Sequence, residues 1–144
     1  MQAAVFCVCG LNFLNCLNMS NSTLAIIYAL SISVIVIFQG CLAAGLPWGA
    51  ASMGGKFPGK YPPKMRLVAV INMFILTFLA LIVLSKAGLA LSKISGFANY
   101  AIWFVVAFGL ISIVLNSITR SKIERIWVPF TVIQFGTSLT IALN

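Results

Sequence analysis

The 144-residue chain has a single acidic side chain, Glu124, and it falls in the sequence Ser121-Lys122-Ile123-Glu124. That spacing makes a capping box: the serine hydroxyl takes the amide of the fourth residue, and the glutamate reaches back to the serine amide. Arg120, Lys122 and Arg125 flank it, so a helix cap surrounded by cations is the plainer use of this carboxylate and a general base the sharper one. There is no histidine and no second acidic side chain. Hydrolytic or proton-coupled chemistry has little to work with, and the chain reads as a non-enzyme.

A second candidate is the glycine-rich connector 45–66, which holds Gly54, Gly55, Lys56, Lys60, Lys64 and Arg66 together with Pro47, Pro58, Pro62 and Pro63. A phosphate-binding P-loop needs G-x-x-x-x-G-K-[ST] after a strand. The register on Gly55-Lys56 puts Ala50 at the first glycine and Phe57 at the magnesium-binding hydroxyl, so that match fails. The phosphate reading that survives is that amides around Gly54 and Gly55, with Lys56 and Lys60 beside them, hold a lipid headgroup or a nucleotide phosphate. The plain alternative is a tight loop whose cations touch anionic lipid.

The third constellation is made of amides. Gln39, Asn72, Asn116 and Gln134 lie one on each of four apolar runs, each about 3–11 Å below the same surface at 1.5 Å per residue. Amides in an apolar medium seek partners, so hydrogen bonds across the bundle are the default expectation, and a small polar cavity roofed by the basic loops is the functional one. The cysteines, Cys7, Cys9, Cys16 and Cys41, contain no C-x-x-C pair and have no histidine to complete a metal site; no metal or cofactor is implied. Cys41 sits in an apolar run as a small packing residue.

The elements that would position these residues follow from composition. The chain is 62% hydrophobic and 7% charged, where ordinary soluble domains carry roughly 25% charge. The apolar runs are 24–46, 67–85, 98–118 and 127–143, each long enough to cross a bilayer as a helix. The fold class is all-α, a transmembrane four-helix bundle in one membrane domain, 24–144. Pro129 implies either a kink in the last helix or a short helix that ends before it. Pro47 should end the first helix. Trp48, Tyr61, Tyr100, Trp103 and Trp127 read as interfacial anchors.

The net charge of +8 is explained by topology rather than by nucleic acid. The first and third connectors carry Lys56, Lys60, Lys64, Arg66, Arg120, Lys122 and Arg125, against Lys86 and Lys93 in the second. The positive-inside rule places the first and third connectors in the cytoplasm and both termini outside. Segment 1–23 lacks the basic region of a signal peptide. Met19-Ser20-Asn21-Ser22-Thr23 would cap the first helix, and Met19 is a candidate start with 1–18 upstream of it.

The motifs Gly45-x-Pro47-Trp48-Gly49, Gly54-Gly55-x-x-Pro58-Gly59-x-x-Pro62-x-x-x-Arg66 and Asn116-x-x-x-Arg120-Ser121-x-x-Glu124-Arg125 resemble those of a widespread, uncharacterised bacterial family of small four-helix membrane proteins. The family pattern is G-A-P-x-G, then G-G-x-x-x-G-x-L-P-x-x-x-R, then N-x-x-S-x-S-x-x-E-R before the last helix. The resemblance spans about residues 40–129. Leu46, Tyr61 and Thr119 depart from it, standing where Ala, Leu and Ser are typical. It implies the fold and a bacterial plasma membrane, and supplies no activity.

The leading expectation is thus an integral membrane protein whose partners are the bilayer and its anionic lipids. Its cytoplasmic face would bind an anionic headgroup or small solute through Gln39, Gly54, Gly55, Lys56, Arg66, Asn72, Asn116, Arg120, Glu124, Arg125 and Gln134. One alternative is a small transporter or channel subunit, which would call for a homo-oligomer because four short helices enclose little pathway. The other is a membrane enzyme of lipid chemistry that uses Glu124.

Overall fold

An apolar run in hydrocarbon must satisfy its own backbone, which leaves the helix as its only open-ended solution. The computed structural model describes residues 19–144; the expectations about segment 1–18 and about Cys7, Cys9 and Cys16 lie outside the described residues. Four α-helices form: α1 (Asn21–Ala44), α2 (Pro63–Lys86), α3 (Ser95–Ile118) and α4 (Val128–Leu143). Short 3-10 turns occur at Gly49–Ala51, Met53–Gly55, Ser92–Ile94 and Glu124–Trp127, and no strand occurs among the described residues.

The helix ends are written in local chemistry. The Ser20 hydroxyl accepts from the Thr23 amide at 3.2 Å and caps α1. Pro47 does not end α1. Gly45 does, with φ 91°, its amide bonded to the Leu42 carbonyl and the Leu46 amide to the Cys41 carbonyl. This is the paired closure that a left-handed glycine permits. α2 starts four residues before the expected 67 because Pro63 takes the first turn, where a missing N–H and a fixed φ are no handicap. α4 starts at Val128 with Pro129 in its first turn, so the 3-10 turn before it absorbs the chain reversal and no kink is needed.

Each helix packs on its chain neighbours, and α4 closes the ring against α1, while the α2–α4 diagonal touches little. α3 and α4 come close at Gly109, where an added Cβ would sit 3.3 Å from Phe135 Cα; small residues permit such approaches in membrane bundles. At the end distal to the connector, Leu24, Tyr28, Ile32, Leu79, Ile82, Val83, Ile102, Val105 and Ile141 form one closed core. Asn144 donates to Asn21 there at 3.1 Å and ties the end of α4 to the start of α1. A second core, Phe38, Leu42, Ala51, Tyr61 and Ala69, lies under the connector.

The outer surface carries Leu30, Ile37, Phe74, Phe78, Phe104, Ile111 and Ile118, all exposed. Apolar area on this scale is untenable in water and natural in lipid. All four helices are long and apolar enough to cross a membrane, the last counted from Glu124 to Leu143. These are the dimensions and the surface of a multi-pass membrane protein.

Two of the aromatic residues expected as interfacial anchors do other work. Tyr61 is only 3% exposed and fills the core under the connector. Trp127 is half-buried, its ring centroid 4.6 Å from that of Phe38. Trp48 is exposed and stacks parallel to Phe38 at 6.3 Å, and Tyr100 and Trp103 are exposed on α3.

Candidate functional site

The connector is first fixed to itself. Gly49 donates its amide to the Gly59 carbonyl at 3.0 Å, and a Cβ at Gly49 would run into the Phe57 carbonyl. Only glycine fits that approach. The next turn takes three successive residues left-handed, Met53 (φ 54°), Gly54 (φ 69°) and Gly55 (φ 72°). A methionine in that region is strained, and such strain persists where surrounding contacts hold it. The contact that holds it is Glu124, whose Oε2 accepts the Gly54 amide at 2.9 Å.

Glu124 is one part of a clasp between the first and third connectors. The Ser121 hydroxyl donates to the Ala50 carbonyl at 2.7 Å, and Trp127 Nε1 donates to the Ala51 carbonyl at 2.8 Å. Gly55 packs so close to Ser121 that a Cβ would lie 3.2 Å from the serine Cβ. The Thr119 hydroxyl donates to the same Glu124 oxygen. The expected capping box is therefore half made. Ser121 Oγ does take the Glu124 amide, at 3.4 Å, but the carboxylate reaches across to Gly54 instead of back to Ser121. Its hydrogen bonds run to an amide and a hydroxyl, not to the cations beside it. A carboxylate on a backbone N–H is a charge-assisted bond, stronger than a neutral one.

The clasp roofs a cavity of about 520 Å³. Gln39 from α1, Asn72 from α2, Asn116 from α3 and Gln134 from α4 all line it, with Gly54, Arg120 and Glu124 at the roof. The four amides do not bond to one another as the default expectation had it. Gln134 donates to the Ser31 hydroxyl at 3.2 Å, and Asn116 donates to the Ser112 carbonyl of its own helix at 2.8 Å. Gln39 and Asn72 have no hydrogen-bond partner among the described residues. Their depths differ as well. At 1.5 Å per residue Asn116 is about 3 Å inside its helix end, Gln39 and Gln134 about 8–9 Å, and Asn72 about 14 Å, since α2 begins at Pro63.

The remaining candidates are placed elsewhere. The Gly54 and Gly55 amides are taken by Glu124 and by the Ser52 carbonyl, so the anion seated in this turn is the protein's own carboxylate. Lys56 is exposed, its ammonium 5.9 Å over the Phe57 ring. Arg66 lies along Gly45, where a Cβ would be 2.7 Å from its guanidinium, and donates to the Tyr61 carbonyl at 3.0 Å. Arg125 donates to the Thr119 carbonyl at 3.4 Å. Arg66 and Arg125 each brace their own connector, and none of these three cations lines the cavity.

Sequence reasoning missed Phe38, Met53, Ser112, Thr119, Trp127 and Thr131, all of which line it. A signal for one of them was present. Thr131 and Gln134 stand three apart in α4, and Thr137, Ser138 and Thr140 extend a buried polar set along that helix. Three residues apart means one helical face. Beyond the cavity those hydroxyls close onto carbonyls of their own helix, Thr137 on Ile133 at 2.7 Å and Thr140 on Gly136 at 2.9 Å.

The arrangement offers free amide donors and acceptors, one arginine at the roof and one engaged carboxylate, on walls that are mainly apolar. It is suited to holding a small polar group; the one hydroxyl set on a carboxylate there, Thr119 on Glu124, is part of the clasp. Comparison with protein-family models, with curated proteins and with solved structures finds no match for this chain.

Proposed function

We propose that this is a non-enzymatic integral membrane protein of the bacterial inner membrane whose cavity takes a small anionic group, a lipid headgroup or a compact solute. The observation that carries the reading is the cavity itself: one amide from each of four helices lines it, and none of the four satisfies another. An amide on the cavity wall without a protein partner, as at Gln39 and Asn72, leaves its hydrogen bonds to a ligand or water. The volume of about 520 Å³ lies within the range of small-molecule sites. Arg120 at the roof supplies the positive charge.

The clasped connectors carry most of the cations, which supports their placement in the cytoplasm with both ends of the chain outside. A tag at Asn144 should then react with an impermeant reagent added to intact cells; protection of the tag reverses the topology. The bacterial family resembled by the connector motifs has the same architecture, and the motif residues Gly54, Gly55, Ser121 and Glu124 meet in the clasp. A through-pathway within one chain is disfavoured, because the distal core closes the bundle with Leu24, Tyr28, Leu79, Ile102 and Ile141.

Binding is tested by titrating the full chain in neutral nanodiscs with phosphatidylglycerol and, separately, with its deacylated headgroup. Saturable uptake of one or the other that is abolished by Gln39→Leu with Asn116→Leu, without loss of thermal stability, is the expected result. Uptake unchanged by the double substitution removes the cavity from the function.

A further inference from the structure

The geometry points to a ligand that is itself a lipid, its anionic headgroup entering the cavity sideways between α2 and α3 while its acyl chains stay in the bilayer. This rests on the cavity reading above and names the class of its ligand. The first observation is where α2 and α3 meet. At the distal end they share a core, Leu79, Ile82 and Val83 against Ala98, Ile102 and Val105. Toward the connector no α3 residue belongs to the second core, which is built from α1, the connector, α2 and Trp127. What lies between the two helices there is the cavity, with Asn72 and Leu76 on one wall and Ser112, Leu115 and Asn116 on the other.

The second observation is the rim. Leu115 and Ile118 line the cavity and are also 58% and 70% exposed on the outer face of α3. A residue that belongs to both surfaces marks the place where the two join. The mouth is thus edged with large aliphatic side chains at a height where the outer surface is lipid-facing, while the roof is shut by the clasp. A solute arriving from water meets the roof; a lipid meets an apolar doorway with amides behind it. Membrane residence also raises the local concentration of a tethered headgroup far above that of the same group free in solution.

Polarity is arranged in the same sense. Arg120 lies at the roof, where a phosphodiester would sit level with neighbouring headgroups, and Gln39 and Asn72 lie deeper with open donors. Glu124 Oε2 accepts from the Gly54 amide and the Thr119 hydroxyl, whose dipoles offset part of its charge.

The experiment compares phosphatidylglycerol with glycerophosphoglycerol, its water-soluble headgroup, on the full chain in neutral nanodiscs, reading bound lipid by native mass spectrometry. Wild type should retain the lipid at least about a hundredfold more tightly than the free headgroup. Leu115→Trp with Ile118→Trp, which fills the doorway, should weaken lipid retention by about tenfold or more. Leu110→Trp, also exposed on α3 but away from the cavity, should behave as wild type and controls for folding. If the free headgroup binds as tightly as the lipid, or the filled doorway retains lipid normally, lateral entry is wrong and the cavity reading stands. If neither probe binds, the cavity reading falls and takes this inference with it.

Discussion

The two ends of this bundle are built from the same four helices and held by different physics. At the distal end aliphatic side chains from all four helices interdigitate around Leu79, Ile82 and Ile102. At the connector end the helices part around a cavity, and closure is delegated to a clasp of Ser121, Glu124 and Trp127 on the backbone of residues 50–54. In lipid there is little hydrophobic gain in helix association, so close packing must hold the distal end and directional hydrogen bonds the other. One end can therefore be tight and inert. The other can carry unsatisfied amides because the first keeps the fold.

The largest effect should come from breaking the tight end. Leu79→Ala removes a side chain that is fully enclosed between helices and should cost about 2–5 kcal/mol. Thermal unfolding in detergent checks it, and a loss well under that range would mean the distal core is not the main source of stability. Next comes the clasp. Glu124→Gln keeps the shape but removes the charge from the bond to Gly54, at a cost of about 1.5–3 kcal/mol. Hydrogen exchange at the Gly54 amide should rise with it; unchanged protection there would show that Glu124 does not hold the turn.

Trp127→Phe should cost less, about 0.5–1.5 kcal/mol, because the ring can still pack on Phe38 while the bond to the Ala51 carbonyl is lost. Its readout is the accessibility of a cysteine placed at Ser52 to a water-soluble thiol reagent. Faster labelling with the overall unfolding midpoint barely moved is the expected pattern. If labelling stays at the wild-type rate, the clasp does not depend on this indole.

Much of this contrast was legible in the sequence. Four uncharged runs dictated four helices, and the amides, one per run, marked the end that would be polar. Glu124, as the only acid, was bound to matter, but its partner was not readable: the pull of Ser121 three residues away is local, whereas Gly54 is brought to it only when the connectors meet. The same holds for Tyr61 and Trp127. Aromatic residues beside apolar runs suit the bilayer interface, and only the folded connector shows that these two are needed as filling and as a donor. The helix starts failed at α2 because counting charges placed its boundary after Arg66, while Pro63 can open a helix with Lys64 and Arg66 on its first turns. What could not be read was depth, since that depends on where each helix begins.

The smallest expected change in stability gives the sharpest test of the contrast. Gln39 is buried, lines the cavity and has no hydrogen-bond partner among the described residues. Leucine is close to it in volume and has nothing to desolvate. Where a polar group makes no protein bond, replacing it with an apolar one of similar shape is nearly neutral or stabilising, within about 1 kcal/mol. Gln39→Leu should therefore leave the unfolding midpoint unchanged or raise it slightly, whereas the same substitution at Gln134 breaks the bond to Ser31 and should lower it. If Gln39 instead proves as costly as Gln134, it has a partner in the folded bundle and the cavity is filled by the protein's own bonds. If it is neutral, the amide is not kept for the fold, and lipid retention measured in the same variant tests whether it is kept for the proposed ligand.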